Sequence, residues 1–207
     1  MSVKLNALTE IDAVNLMLST IGEAPISSLE NAMHSDAIMS RQTLSMVSRQ
    51  VQAEGWWFNT ESAVEITPDI EGYITTPELI ISLDIEPTQR EYATHDVVLR
   101  GVRLYDRKNH TYKFEKPLKV TMISMLPFEE LPECAKQYIV IRAARQFQGE
   151  AVGSEILHGF TTLNETMARA VMMREQLKNS DSSFLSRSRN SAAGMRSIGR
   201  ITNRTFA

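Results

Sequence analysis

Only one cysteine, Cys134, stands among the 207 residues, so no disulfide can close within the chain and a thiolate metal cluster is excluded. No basic-then-apolar segment opens the sequence, and no apolar run approaches the length of a membrane span. The expectation is a protein with no membrane insertion of its own, made and kept in cytoplasm or carried out of the cell by something larger. Gly-x-x-x-x-Gly-Lys-Ser/Thr, Gly-x-Gly-x-x-Gly and Gly-x-Ser-x-Gly are all missing, which removes the phosphate loop, the dinucleotide turn and the nucleophile elbow. The histidines His34, His95, His110 and His158 lie on unlike elements without metal-ligand spacing, and a free surface imidazole is expected for each.

Acid is the next thing lacking, and only from one end. Ser182–Ala207 holds Arg187, Arg189, Arg196, Arg200 and Arg204 and no Asp or Glu. Ser, Asn, Gly and Ala fill most of the rest, too little apolar area to offset the entropy of ordering the segment alone. The whole chain has a formal charge of −3 and this arm carries +5, so Met1–Asp181 carries −8 by subtraction. An acidic body argues against a protein that wraps nucleic acid with its whole surface. The arm's spaced apolar residues, including Phe184, Ile198 and Ile201, exceed what a solubilising tail requires and point to docking on another subunit.

The body is well patterned. Thr9 before Asp12 marks a helix start, with Val14, Met17, Leu18 and Ile21 at helical spacing. Gly22 supplies a left-handed stop and Pro25 blocks continuation; a short loop through Ser28 and Asn31 follows. A second helix is expected from Ser35 to Glu54, with a seam of Ile38, Leu44, Val47 and Val51 and an end at Gly55. The period then shortens: Ala63–Ile66, Leu79–Leu83, Val97–Arg100 and Val120–Ile123 read as strands, and Lys108–His110 as a hairpin turn between Leu104–Tyr105 and Tyr112–Phe114. Helices return at Pro127 or Pro132, with acids at the positive end of the dipole. Tyr138, Ile139, Ile141, Ala144 and Phe147 mark the most buried helix. Ser154 caps a last one, with Leu157, Phe160, Leu163, Met167, Ala170 and Val171 along its expected inner face.

The fold class is therefore α+β: a mainly antiparallel helical bundle with a small antiparallel β-sheet insertion and an extended C-terminal arm. The expected units are 1–60 and 127–181 for the bundle, 61–126 for the insertion and 182–207 for the arm.

Chemistry-bearing groups are few. Cys134 sits in the first turn of an expected helix, where a thiol pKa can fall, but a small packed residue is the simpler reading. Glu129/Glu130 and Glu175/Asp181 can be cast as glycosidase carboxylates, yet helix-end charges and a solvated face account for them. Gly55-Trp56-Trp57-Phe58-Asn59 is the densest aromatic cluster and carries no interleaved base, so it reads as a wedge between helix and sheet. Met39, Met46, Met167, Met172 and Met173 suit core filling or adaptable contact.

Three strings, in order, resemble one family. They are Ile21-Gly22-Glu23-Ala24-Pro25 with Ser28-Leu29-Glu30; Arg49-Gln50-Val51-Gln52 leading into Gly55-Trp56-Trp57-Phe58-Asn59; and Leu131-Pro132-Glu133-Cys134 with Ala143-Ala144-Arg145-Gln146-Phe147. Together they look like tail tubular protein A, the head-to-tail adaptor or gatekeeper of short-tailed bacteriophages. Gly22, Pro25, Gly55, Trp56, Phe58, Pro132, Arg145 and Phe147 are the structural positions of that motif set. The resemblance implies a virion protein, made in the host bacterial cytoplasm, that forms a twelve-copy ring below the portal protein. The tail nozzle (tubular protein B) binds beneath it and viral DNA passes through its lumen. It implies a bundle forming the ring wall, an arm and a β insertion reaching neighbouring subunits or portal, no cofactor and no catalytic residue. Two other classes stand beside this one: a tail-associated polysaccharide hydrolase, and a stand-alone DNA-binding protein using the arm.

Overall fold

A computed structural model describes residues 7–30, 35–86, 94–151 and 155–179. In chain order it holds α1 (Glu10–Thr20), α2 (Ser35–Ala53), β1 (Thr60–Ile66), β2 (Ile80–Ile85), β3 (Val97–Arg100), β4 (Arg103–Asp106), β5 (Leu118–Ser124), a short 3-10 turn (Phe128–Glu130), α3 (Glu133–Ala151) and α4 (Glu155–Asn179). The class is α+β, as the periodicities suggest. The helices share one apolar core and the strands another.

Thr9 and Asp12 start α1 by a reciprocal capping box: the Asp12 N–H donates to the Thr9 hydroxyl, and the Thr9 N–H to the Asp12 carboxylate. Gly22 ends it. With φ at +84°, it lets the Glu23 N–H reach the Leu18 carbonyl at 3.1 Å and its own N–H the Ser19 carbonyl at 3.2 Å. Pro25 follows in the exposed loop, and the Asn15 side chain brackets the next residue, accepting from the Ile26 N–H and donating to its carbonyl. On α2 the buried face is Ala37, Ser40, Leu44, Val47 and Val51, with Ser48 and Gln52 beside them. Ile38 is not in the seam. It is 47% exposed because Ala37 takes the inward position one residue earlier.

Pro127 precedes the 3-10 turn and Pro132 precedes α3, where its carbonyl accepts the Lys136 N–H at 3.0 Å. Helix α3 touches each of the other three described helices and carries the largest fully buried side chains among the described residues, Tyr138 and Phe147. Burying a ring of that size removes enough apolar surface to stabilise by about 2 kcal/mol or more, which is why α3 is the axis of the helical part.

The strands form a three-stranded antiparallel sheet in the order β1-β5-β2 and a two-stranded ribbon of β3 and β4. Ribbon and sheet face each other across a small core of Ile74, Leu83, Ile85, Val97, Leu104, Phe114, Leu118 and Val120. The ribbon turns through Gly101-Val102, with Gly101 at φ +62°, the two-residue pattern with glycine first. The expected turn at Lys108–His110 exists, closed by paired N–H and C=O bonds between Asp106 and Thr111. Tyr112–Phe114 then departs from expectation: it forms an isolated bridge to Tyr73 instead of a strand.

Asp106 holds this turn. Its side chain is fully buried. One oxygen accepts the N–H groups of Asp96, Lys108 and Asn109, and the other meets the Asn109 amide at 2.6 Å and the His95 ring at 2.5 Å. Burial alone would raise its pKa, but the bonds from His95, Asn109 and the backbone outweigh that and hold the carboxyl far below the usual range. A depressed folded pKa contributes stability above the unfolded value and loses it as pH falls toward the folded one. Asp106→Ala strands these donors, so it is expected to destabilise by about 3 kcal/mol. Chemical denaturation at neutral pH and near pH 3 checks this: the wild type should lose stability on acidification, and the gap between the two proteins should narrow.

Candidate assembly surfaces

The chain crosses between its two cores twice, near residue 55 and near residue 125, and side-chain amides tie both crossings. Gln52 is fully buried at the end of α2. Its carbonyl oxygen accepts the Leu126 N–H at 2.8 Å while its NH2 donates to the Leu126 carbonyl at 3.1 Å and the Ser48 hydroxyl at 3.0 Å. Asn59, 2% exposed, accepts the Trp56 N–H at 2.8 Å and donates to the carbonyls of Gln52 and Ser124, each at 2.9 Å. Every polar atom of these buried amides has a partner, so the joint has one low-energy arrangement.

Motif positions converge here. Gly55 sits at φ +74°, and a Cβ on it would lie 2.8 Å from Cδ1 of Ile123 in β5. Trp56 is buried, and its indole N–H donates to the Val51 carbonyl at 2.7 Å. Phe58 packs edge-on to Trp57, ring centres 5.1 Å apart, against the helical core. The Trp57 N–H donates to Gln176, which brings α4 to the same joint. Sequence reasoning missed Gln52, Asn59 and Gln176. Gln52 and Asn59 lie inside the quoted strings, and an amide adjoining a helix seam was the signal available.

The last helix reverses an expectation. Met172 is fully buried, whereas Leu163, Met167 and Leu177 are 54%, 57% and 67% exposed, and Ala170 and Val171 are exposed too. At about 100° per residue, Leu163 and Met172 lie on opposite sides of the helix. The side turned to the core holds Met172 and Ala168. The side facing α3 carries Glu165 and Arg169, which belong to a chain of ion pairs. Arg145 meets Glu165 at 2.6 Å, and Arg142 and Arg169 meet Glu54, just past the end of α2, at 3.5 and 3.2 Å. The Tyr138 hydroxyl accepts from both Arg142 and Arg169. Leu163, Met167, Ala170 and Leu177 are left outward along one side of α4, with the exposed Arg174 set among them. Leu157 and Phe160 lie outside the described side chains, and Ser154 outside the described residues. All the arm positions (Phe184, Arg187, Arg189, Arg196, Ile198, Arg200, Ile201 and Arg204) likewise lie outside the described residues.

The chemistry-bearing groups are engaged elsewhere. Burial pushes the Cys134 thiol up, with Glu175 and Glu133 adding to it, contrary to an activated thiolate. His95 is held by Asp106, and His110 occupies a turn at φ +53°. Glu129 accepts the Glu10 N–H at 3.1 Å and Glu175 pairs with Lys178 at 2.6 Å. Among the described residues no group of three His, Cys, Asp or Glu is placed to hold a metal, and no helix is long and apolar enough to cross a membrane. What the molecule presents is shape, an apolar stripe and charged faces.

Comparison with known proteins gives the class. The model of the tail tubular protein family matches residues 11–182, and the chain belongs to that family, with a structural role in a phage tail. It is similar to tail tubular protein A of Klebsiella phage KP34, at 26% identity over 172 residues, covering 83% of this chain and 89% of that protein.

Gly55→Ala combines a left-handed backbone with a clash against Ile123, and is expected to cost about 2 kcal/mol. A lowered thermal midpoint with unchanged far-UV circular dichroism checks it; an unshifted midpoint contradicts the geometry.

Proposed function

We propose that this chain is a head-to-tail adaptor. Copies of it, twelve in number, form a ring between the portal protein and the tail nozzle, and the ring's lumen is part of the channel through which viral DNA leaves. The observation that carries this reading is the set of exposed apolar side chains on the outside of α4, Leu163, Met167 and Leu177 around Arg174, in a chain of the tail tubular family. A surface of that kind on a soluble chain needs a partner to cover it. The acidic body suits a conduit, since a basic lumen would bind phosphates and brake a moving duplex. The basic arm is a second contact, reaching a neighbouring copy or the portal.

Two variants test this. Leu163→Ser/Met167→Ser/Leu177→Ser should unfold within about 1.5 kcal/mol of wild type, the summed helix-propensity loss of three exposed positions outside the core. It should nevertheless fail to join rings when mixed with portal protein, followed by negative-stain imaging. A chain ending at Asp181 should join poorly in the same assay. Normal ring formation by both variants removes this reading.

A further inference from the structure

The two outer faces of the β region carry opposite charge. On the ribbon, Val97, Leu104 and Asp106 are buried, so strand alternation puts Val98, Arg100, Arg103 and Tyr105 together on the outside. The Arg100 guanidinium lies 3.6 Å from the centre of the Tyr105 ring, and Tyr105 packs on Tyr112 at 4.7 Å between ring centres. Arg103 and Lys113 lie 5.0 and 5.8 Å from the centre of the Tyr73 ring. Among the described residues no carboxylate pairs with these three cations. Rings hold them in place and leave their charge unneutralised.

The sheet shows the reverse. Leu83, Ile85, Leu118 and Val120 point into the core shared with the ribbon. By the same alternation Glu65, Asp84 and Glu86 fall on the far side, around Lys119 and Thr121. Glu65 stands opposite Lys119, and Glu86 accepts the Thr121 hydroxyl at 2.5 Å. Arg107, paired with Asp96, also acts on Asp84 from the edge, and the three carboxylates still outnumber Lys119 and Arg107, so this face is acidic.

We propose that the Arg100/Arg103/Lys113 face of one copy docks on the Glu65/Asp84/Glu86 face of a second copy of this chain. Charge complementarity names the occupant. Arg and Tyr together are the composition of protein-interface anchors. Duplex DNA is the other polyanion that fits guanidinium groups, but it must approach a body of −8. The two faces are different and lie on opposite sides of one module. Each copy therefore offers one and uses the other, the heterologous arrangement that closes into a ring. This deepens the ring reading above and rests on it.

The test is a charge swap in particles assembled with variants in place of wild type. Arg100→Glu/Arg103→Glu alone and Glu65→Arg/Asp84→Arg alone should each lower incorporation at least about tenfold, since like charges then meet. Supplied together they should restore it, because an alternating ring of the two variants again pairs unlike faces at every contact. In solution at high concentration, zero-length carbodiimide cross-linking should join Lys113 of one copy to Glu65 or Asp84 of another. Thermal unfolding of each variant separates misfolding from lost docking. Wild-type incorporation by either variant alone, or a mixture that fails to rescue, overturns the docking while leaving the ring reading standing. Absence of wild type from particles sinks the ring reading, and cross-linking then judges the docking alone. Loss of duplex affinity in Arg100→Glu/Arg103→Glu with normal incorporation assigns the face to nucleic acid and overturns the proposal.

Discussion

Two side-chain amides, those of Gln52 and Asn59, occupy the place where the helices hand over to the strands. Each is buried and each has its donors and acceptors met by backbone groups of the two crossings. Leaving even one such group unpaired costs about 1–3 kcal/mol, while apolar packing at the same place would tolerate sliding. The amides therefore fix direction as well as stability. In the ring proposed above that constraint matters, because a small error in the angle of one module would repeat at every contact.

The sequence disclosed the helices well where local signals and packing agree. Thr9, Asp12 and Gly22 mark both ends of α1 because caps act within a few residues. Strand existence was also legible, but the ribbon's true turn at Gly101-Val102 was passed over for the polar run at Lys108–His110. Both runs form turns. Only packing on the sheet decides which of them ends a ladder, and that information is non-local.

Helix α4 is the instructive miss. Its apolar periodicity predicts a core face, as in a monomer. The chain instead buries Met172 and packs Ala168 on the helical core, with Glu165 beside them meeting Arg145 and the half-exposed Arg169 meeting Glu54. Net stability from exposed or half-exposed ion pairs is small, so this phase is not the one a free monomer would choose for burial alone. It makes sense when the stripe's burial is supplied by something else. The joint shows the opposite failure: the strings that carried the family resemblance were visible, while the role of their polar members was not, since Gln and Asn are ordinarily surface residues.

The division of labour between the two cores follows from these facts. The helical part buries the large rings and the strand part is small, with a core of eight residues around Leu104 and Val120. A sheet so small gains little from burial, yet it is held by the fully satisfied Asp106 turn and by the amide joint. Such investment in a minor module is out of proportion to its contribution to folding. It is in proportion if the module's outer faces must be presented at a set angle: cations resting on Tyr73 and Tyr105 on one side, carboxylates on the other. Charge on a rigid platform selects register between copies, and an apolar stripe, which is tolerant of sliding, supplies adhesion. The two kinds of surface are complementary because neither alone gives both strength and a single geometry.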